Sequence, residues 1–147
     1  MSVFNSINIS GTGLTAERLR MDVISKNIAN ANTTRTANGT PYRRQVVTFQ
    51  EKSSHAPFSH HLRRTMDRDQ QRGGVEVTGI HNDPSPYKQV YDPGHPDANE
   101  DGYVLMPNVD TVTEMANMIS ASRAYEANIT AMNTTVSMAM RALEIGR

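Results

Sequence analysis

From Asn108 to Ile145 the chain runs without a glycine or a proline, and this uninterrupted stretch limits the fold more than any other. Steps of three and four residues pick out Met115, Met118, Ser122, Tyr125, Ile129, Met132, Val136, Ala139 and Leu143, eight of them apolar. That spacing places all nine on one seam of a helix. Ile119, Ala121 and Met140 widen the stripe, and Asn117, Arg123, Asn128, Thr135 and Glu144 fall on the far side. Pro107 closes an extended segment, Asn108 suits an N-cap, and Thr111 with Glu114 fits a Ser/Thr-x-x-Glu capping box. At about 1.5 Å per residue such a helix is about 57 Å long, too long for the core of a 147-residue chain. It requires a partner along its length.

The first 31 residues supply one. A seven-residue repeat runs Ile7, Leu14, Met21, Ile28, flanked by Phe4, Ile24 and Ala31 and interrupted by Arg18 and Ser25. Gly11 and Gly13 each cost about 1 kcal/mol relative to alanine in a helix, so a bend is expected there, with the firmer helix from Thr15 to Ala31. Two heptad-like seams predict that the terminal helices pair as a coiled coil. Either stripe alone reads as an ordinary helical hairpin in a monomer; both together, around a polar middle, point to assembly. The N-terminal helix, with its two glycines and thin seam, is too weak a partner to cover both faces of the C-terminal one. Both termini are therefore expected to be largely disordered or molten in the dilute monomer and to become helical only on assembly.

Between them, Asn27-Ile-Ala-Asn30-Ala-Asn-Thr33 opens a tract dense in Asn and Thr, side chains that compete for backbone hydrogen bonds and end helices. Tyr42–Phe49 is β-prone, Val75–Thr78 alternates as a half-buried strand that Gly79-Ile80 extends, and Tyr87–Tyr91 and Tyr103–Met106 are short extended pieces. Asp83-Pro-Ser-Pro and Asp92-Pro-Gly break the chain. Residues 51–74, with three His and paired Gly73-Gly74, read as a surface loop. The fold class expected is mainly α with a small β unit of three or four short strands. Residues 1–34 and 108–147 form the helical part, and 35–107 an extended segment plus a β-rich insert.

No catalytic group is expected. The chain has no cysteine, so thiol chemistry and disulfides are excluded. With 15 basic and 15 acidic residues the net charge is zero, which gives no electrostatic case for nucleic acid or anionic membrane. Residues 1–50 nevertheless carry six basic side chains against two acidic ones. The N-terminus lacks a basic region and apolar run of signal-peptide type, and no run reaches the length of a membrane span. Asp97-Ala-Asn99-Glu-Asp101-Gly102 matches the first half of an EF-hand loop, but the twelfth position is Asn108 instead of a bidentate glutamate. An Asx-rich turn is the expected reading, and a calcium sensor the weaker alternative. His55, His60, His61, His81 and His95 have no metal-site spacing, so neither metal nor cofactor is expected. A helical adaptor binding one partner is the other reading the residues allow.

The Asn27–Thr33 box, followed by Pro41-Tyr-Arg43-Arg44-Gln-Val-Val47, Asp83-Pro-Ser-Pro86, Tyr91-Asp-Pro-Gly-His-Pro-Asp97, Met106-Pro-Asn-Val109 and Ser122-Arg-Ala-Tyr-Glu-Ala-Asn128, resembles the flagellar axial rod and hook proteins, and within them the proximal-rod branch. The resemblance spans nearly the whole chain and is weakest over 51–74. It implies a structural subunit that leaves the cytoplasm through the flagellar type III export apparatus without a cleaved signal and stacks helically into the periplasmic rod. It implies as partners FlgB and FliE on the membrane-proximal side, FlgF and FlgG distally, the MS ring nearby, and further copies of itself. Interface residues are expected on the first helix at Leu14, Met21, Asn27 and Ile28, and beyond it at Asn30, Thr33, Arg43 and Arg44. On the second helix they are Met115, Met118, Tyr125, Asn128, Ile129, Met132, Val136 and Leu143.

Overall fold

The computed structural model of the chain describes residues 3–52 and 73–145. Two helices dominate, α1 (Val3–Ala29) and α2 (Thr111–Ile145). Between them in sequence lie β1 (Gln45–Glu51), β2 (Val75–Asn82), β3 (Lys88–Tyr91) and β4 (Tyr103–Met106). The fold is mainly helical with a small β complement. No described helix is long and apolar enough to cross a membrane.

The helices pack against each other antiparallel. Asn27 near the end of α1 bonds Glu114 in the first turn of α2 at 2.9 Å. Fourteen residues earlier in α1, Gly13 lies against Asn128, fourteen residues further along α2. The same register brings Val3 level with Met138, so the last two turns or so of α2 run past the start of α1. The glycines do not interrupt the helix: α1 continues through Gly11 and Gly13 and stops at Ala29, not Ala31. Packing along a helix face outweighs the propensity penalty of two residues. At Gly13 the missing side chain serves contact, because a Cβ there would sit 3.1 Å from Asn128 Oδ1.

The face of α2 turned to α1 matches the expected seam only in part: Met118, Ser122, Tyr125, Ile129, Met132 and Ala139 are half-buried. Ala121 has no exposed surface, and Asn117, Asn128 and Thr135, expected on the far side, are half-buried. Met115, Ile119, Val136 and Leu143 are exposed. Periodicity fixes which residues share a stripe but not which stripe meets the neighbour; here the anchoring of Glu114 sets the rotation of α2. Gly13 on α1 and the fully buried Ala121 on α2 are the small residues on this side.

The helix cap also falls elsewhere. Asp110, not Asn108, starts α2: its carbonyl accepts from the Glu114 N–H at 2.9 Å and its carboxylate from the Thr113 hydroxyl at 2.6 Å. The Thr113 hydroxyl, with the N–H groups of Val112 and Thr113, holds the Asp110 carboxyl below its usual pKa. Asn108 and Glu114 are spent on another task.

The strands form two separate antiparallel pairs, not one unit. In β1–β2, Gln45 pairs with Asn82 and Glu51 with Val75, with a bulge at Thr48/Phe49. Val47 and Phe49 are half-buried on one face while Val46 and Thr48 are exposed on the other, and this hairpin packs on α1. Gly73 and Gly74 sit at positive φ where Cβ atoms would fall 2.8 Å from Ile9 Cδ1 and 2.9 Å from Thr12 Oγ1. Glycine is therefore required at that close approach. In β3–β4, Lys88 pairs with Met106 and Tyr91 with Tyr103. Most of the loop expected over 51–74, with His55, His60 and His61, lies outside the described residues.

Candidate assembly surface and the polar joint that orients it

Where α1 ends, β1 begins and α2 starts, a polar cluster is buried. Asn27 is 1% exposed and uses its whole hydrogen-bonding capacity. Its Nδ2 donates to the Gln45 carbonyl at 2.8 Å and to Glu114 Oε2 at 2.9 Å. Its Oδ1 accepts from the Gln45 N–H at 3.0 Å and from the Tyr42 hydroxyl at 2.9 Å. An amide supplies two donors and two acceptor positions, so nothing is left over. Burial, together with the Glu114 charge, pushes the Tyr42 phenol above its usual pKa.

Glu114, also 1% exposed, receives the Arg44 guanidinium at Oε1 from Nε at 3.0 Å and Nη2 at 2.7 Å. The third guanidinium nitrogen reaches Asp83 Oδ2 at 3.1 Å. Burial works against the Arg44 charge, but hydrogen bonds to Glu114 and Asp83 outweigh it and raise the pKa. Asp83 accepts from the Ser85 hydroxyl and N–H as well as from Arg44, and its carboxyl is held down at about 2. Asn108 Oδ1 accepts from the Arg44 N–H at 2.8 Å, and its Nδ2 donates to the carbonyls of Asp83 and Ser85. Four distant chain segments are thus pinned at one point.

The expected interface residues divide by this geometry. Asn27 and Arg44 belong to the joint. Asn30 caps its own helix, Nδ2 donating to the Lys26 carbonyl at 2.9 Å, and Thr33 bonds Asn30 and accepts from the Tyr42 N–H. Arg43 lies 4.6 Å over the Tyr87 ring and donates to the Asp83 carbonyl. Leu14, Met21 and Ile28 on α1, with Met118, Tyr125, Asn128, Ile129 and Met132 on α2, are half-buried along the helix pair. Met115, Val136 and Leu143 stand in the open.

Local patterning marks Glu114 and Asn108 as capping residues and joins neither to Tyr42 or Asp83. A signal existed in part: Glu114 stands on the helical face it shares with Met118 and Ala121, and Asn27 sits between Ile24 and Ile28. A polar residue on an apolar face must find partners or pay desolvation. At Asp97–Gly102 the turn bonds itself: Asn99 Oδ1 accepts from the Asp101 and Tyr103 N–H groups, with Gly102 at φ +77°. Asp97 is occupied by the Thr34 hydroxyl at 2.8 Å.

A family model described as "Flagella basal body rod protein" matches residues 7–35, and one described as "Flagellar basal body rod FlgEFG protein C-terminal" matches 100–145. The chain is 49% identical to flagellar basal-body rod protein FlgC of Bacillus subtilis, covering all of both chains. It is 49% identical to the protein of that name in Borreliella burgdorferi, over 99% of this chain and 98% of the relative. To that of Salmonella typhimurium it is 41% identical over the full length of both. The two family models fall on the two helices and their flanks. With that identity carried from end to end, the chain belongs to the FlgC family of flagellar basal-body rod proteins.

Proposed function

We infer that this chain is a structural subunit of the bacterial flagellar basal-body rod and acts by packing, not by catalysis. The observation that carries the reading is the end-to-end identity with relatives that bear the rod-protein name. In this reading residues 1–34 and 108–147 form the helical core that assembles, and 35–107 the extended and β-rich part. The two helices continue as a coiled coil within the assembled rod, where their ends gain full order. The chain is exported by the flagellar type III apparatus without a cleaved signal and lies in the periplasmic rod. Its neighbours are copies of itself with FlgB, FlgF, FlgG and FliE, above the MS ring. An uncovered apolar stripe on a pinned helix supports this, since such a stripe is what a lattice of subunits covers.

Of the expected interface residues, Met115, Val136 and Leu143 meet a neighbour directly. The half-buried Leu14, Met21, Ile28, Met118, Tyr125, Ile129 and Met132 hold the pair and touch neighbours by their rims. Asn30, Thr33 and Arg43 do so through their polar side chains, and Asn128, packed against Gly13, by its rim like the half-buried residues of the pair. Deletion of the gene, complemented with an epitope-tagged chain, tests the reading. The deletion should abolish rods and motility, and the tagged chain should copurify with basal bodies. Normal rods without the chain would overturn it.

A further inference from the structure

One asparagine of the chain is followed directly by glycine, Asn38-Gly39. The pair sits in a tight loop across which the Thr36 N–H and hydroxyl both donate to the Thr40 carbonyl, at 2.9 Å and 2.8 Å. Inside the loop the Gly39 N–H donates to the Thr36 carbonyl at 2.9 Å, and Gly39 has φ +75°. Asn38 and Gly39 are both exposed, and nothing lies within 4 Å of where a Gly39 Cβ would stand. Asp101-Gly102 repeats the arrangement, with the Gly102 N–H on the Asn99 carbonyl at 2.9 Å and φ +77°. There, however, the Cβ position falls 2.9 Å from Tyr91 Cε2 and 3.3 Å from Pro93 Cβ. An aromatic ring covers the second glycine, and open space surrounds the first. An ionised aspartate is also a poorer electrophile than an amide.

We propose that Asn38 is a site of spontaneous deamidation, restrained by its turn and released whenever the loop opens. The Gly39 nitrogen attacks the carbonyl carbon of the Asn38 side chain, and a glycine offers no side chain to hinder the approach. A bond forms from Gly39 N to Asn38 Cγ, closing a five-membered imide, as the bond from Cγ to the amide nitrogen breaks. That nitrogen leaves as ammonia, and the proton of the Gly39 N–H leaves with it. Water then opens the imide at either carbonyl, giving aspartate or, with the main chain rerouted through the side chain, isoaspartate. While the turn is closed, Thr36 holds the Gly39 N–H away from this attack. An isoaspartyl link adds one backbone atom to the loop and breaks the register that brings Thr36 to Thr40. The next bond along the same loop joins the Tyr42 N–H to the Thr33 carbonyl at 3.1 Å, and the Tyr42 hydroxyl serves Asn27 in the buried joint. The product therefore loosens a loop that positions part of the joint.

The test incubates the purified full-length chain at mildly alkaline pH, folded in buffer or unfolded in guanidinium chloride. Peptides are mapped by mass spectrometry, and isoaspartate is counted by enzymatic methylation of its free carboxylate. Asn38 should convert faster than any other asparagine, and up to about tenfold faster in the unfolded chain, as release of one turn hydrogen bond predicts. Asn38→Gln, whose ring closure needs a larger imide, should keep the fold and abolish the signal at position 38. Wild-type chain aged unfolded and then refolded should melt below Asn38→Gln treated in the same way. Equal rates in the folded and unfolded chain, another asparagine converting first, or identical melting of the two aged proteins overturns the proposal.

Discussion

At one end of the helix pair Asn27 and Glu114 are each 1% exposed and bonded through every polar group, while at the other Met140 and Leu143 are 59% and 73% exposed. The joint fixes direction: it ties the end of α1, the start of β1, the Asp83 turn and the start of α2 into one orientation. The other end carries apolar surface that stands exposed among the described residues. Polar groups do the internal work because a satisfied network has one geometry, whereas methionines at an open end adapt to what arrives. A subunit that must keep its own shape and still accept neighbours benefits from that division.

The largest expected effect breaks the joint. Glu114→Ala leaves Arg44 and Asn27 facing a void, and losing one partner of a buried ion pair costs about 3–5 kcal/mol. Urea denaturation should show that loss; a change below about 1 kcal/mol would mean the joint is held elsewhere. Acid should weaken the same end more gently. The Asp83 carboxyl is held at about 2 by Ser85 and Arg44 against an ordinary 3.8. Its folded pKa lies below the unfolded one, so its contribution is present above the unfolded value and fades as pH falls toward the folded one. Thermal melting across that window should flatten in Asp83→Asn.

A smaller effect separates the two glycines along α1. Nothing lies within 4 Å of a Cβ at Gly11, whereas one at Gly13 meets Asn128. Gly11→Ala should stabilise by about 0.5–1 kcal/mol, and Gly13→Ala should lose that gain to crowding. Equal gains in chemical denaturation would show that the helices do not approach closely there. The smallest effect on the isolated chain belongs to the free end. Leu143→Ser should change monomer stability by about 0.5 kcal/mol or less while reducing incorporation into basal bodies, scored by immunoblot. A large monomer loss would show that the end is covered within the chain.

By itself the sequence determined the two long helices, the strand positions within a few residues, the Asx turn at Asn99, and a rod-family resemblance resting on motifs spread along the chain. These follow from spacing, turn chemistry and local propensity, which act over a few residues. Only the tertiary structure decided that α1 continues through Gly11 and Gly13, that the strands split into two pairs, and which side of α2 faces inward. Periodicity in α2 is satisfied by any rotation that buries part of the stripe. The choice was made by one buried glutamate that had to meet Arg44 and Asn27, 70 and 87 residues away in the chain. A lone carboxylate on an apolar face carries no label saying which distant partner will satisfy it, and that partner exists only once the chain has folded.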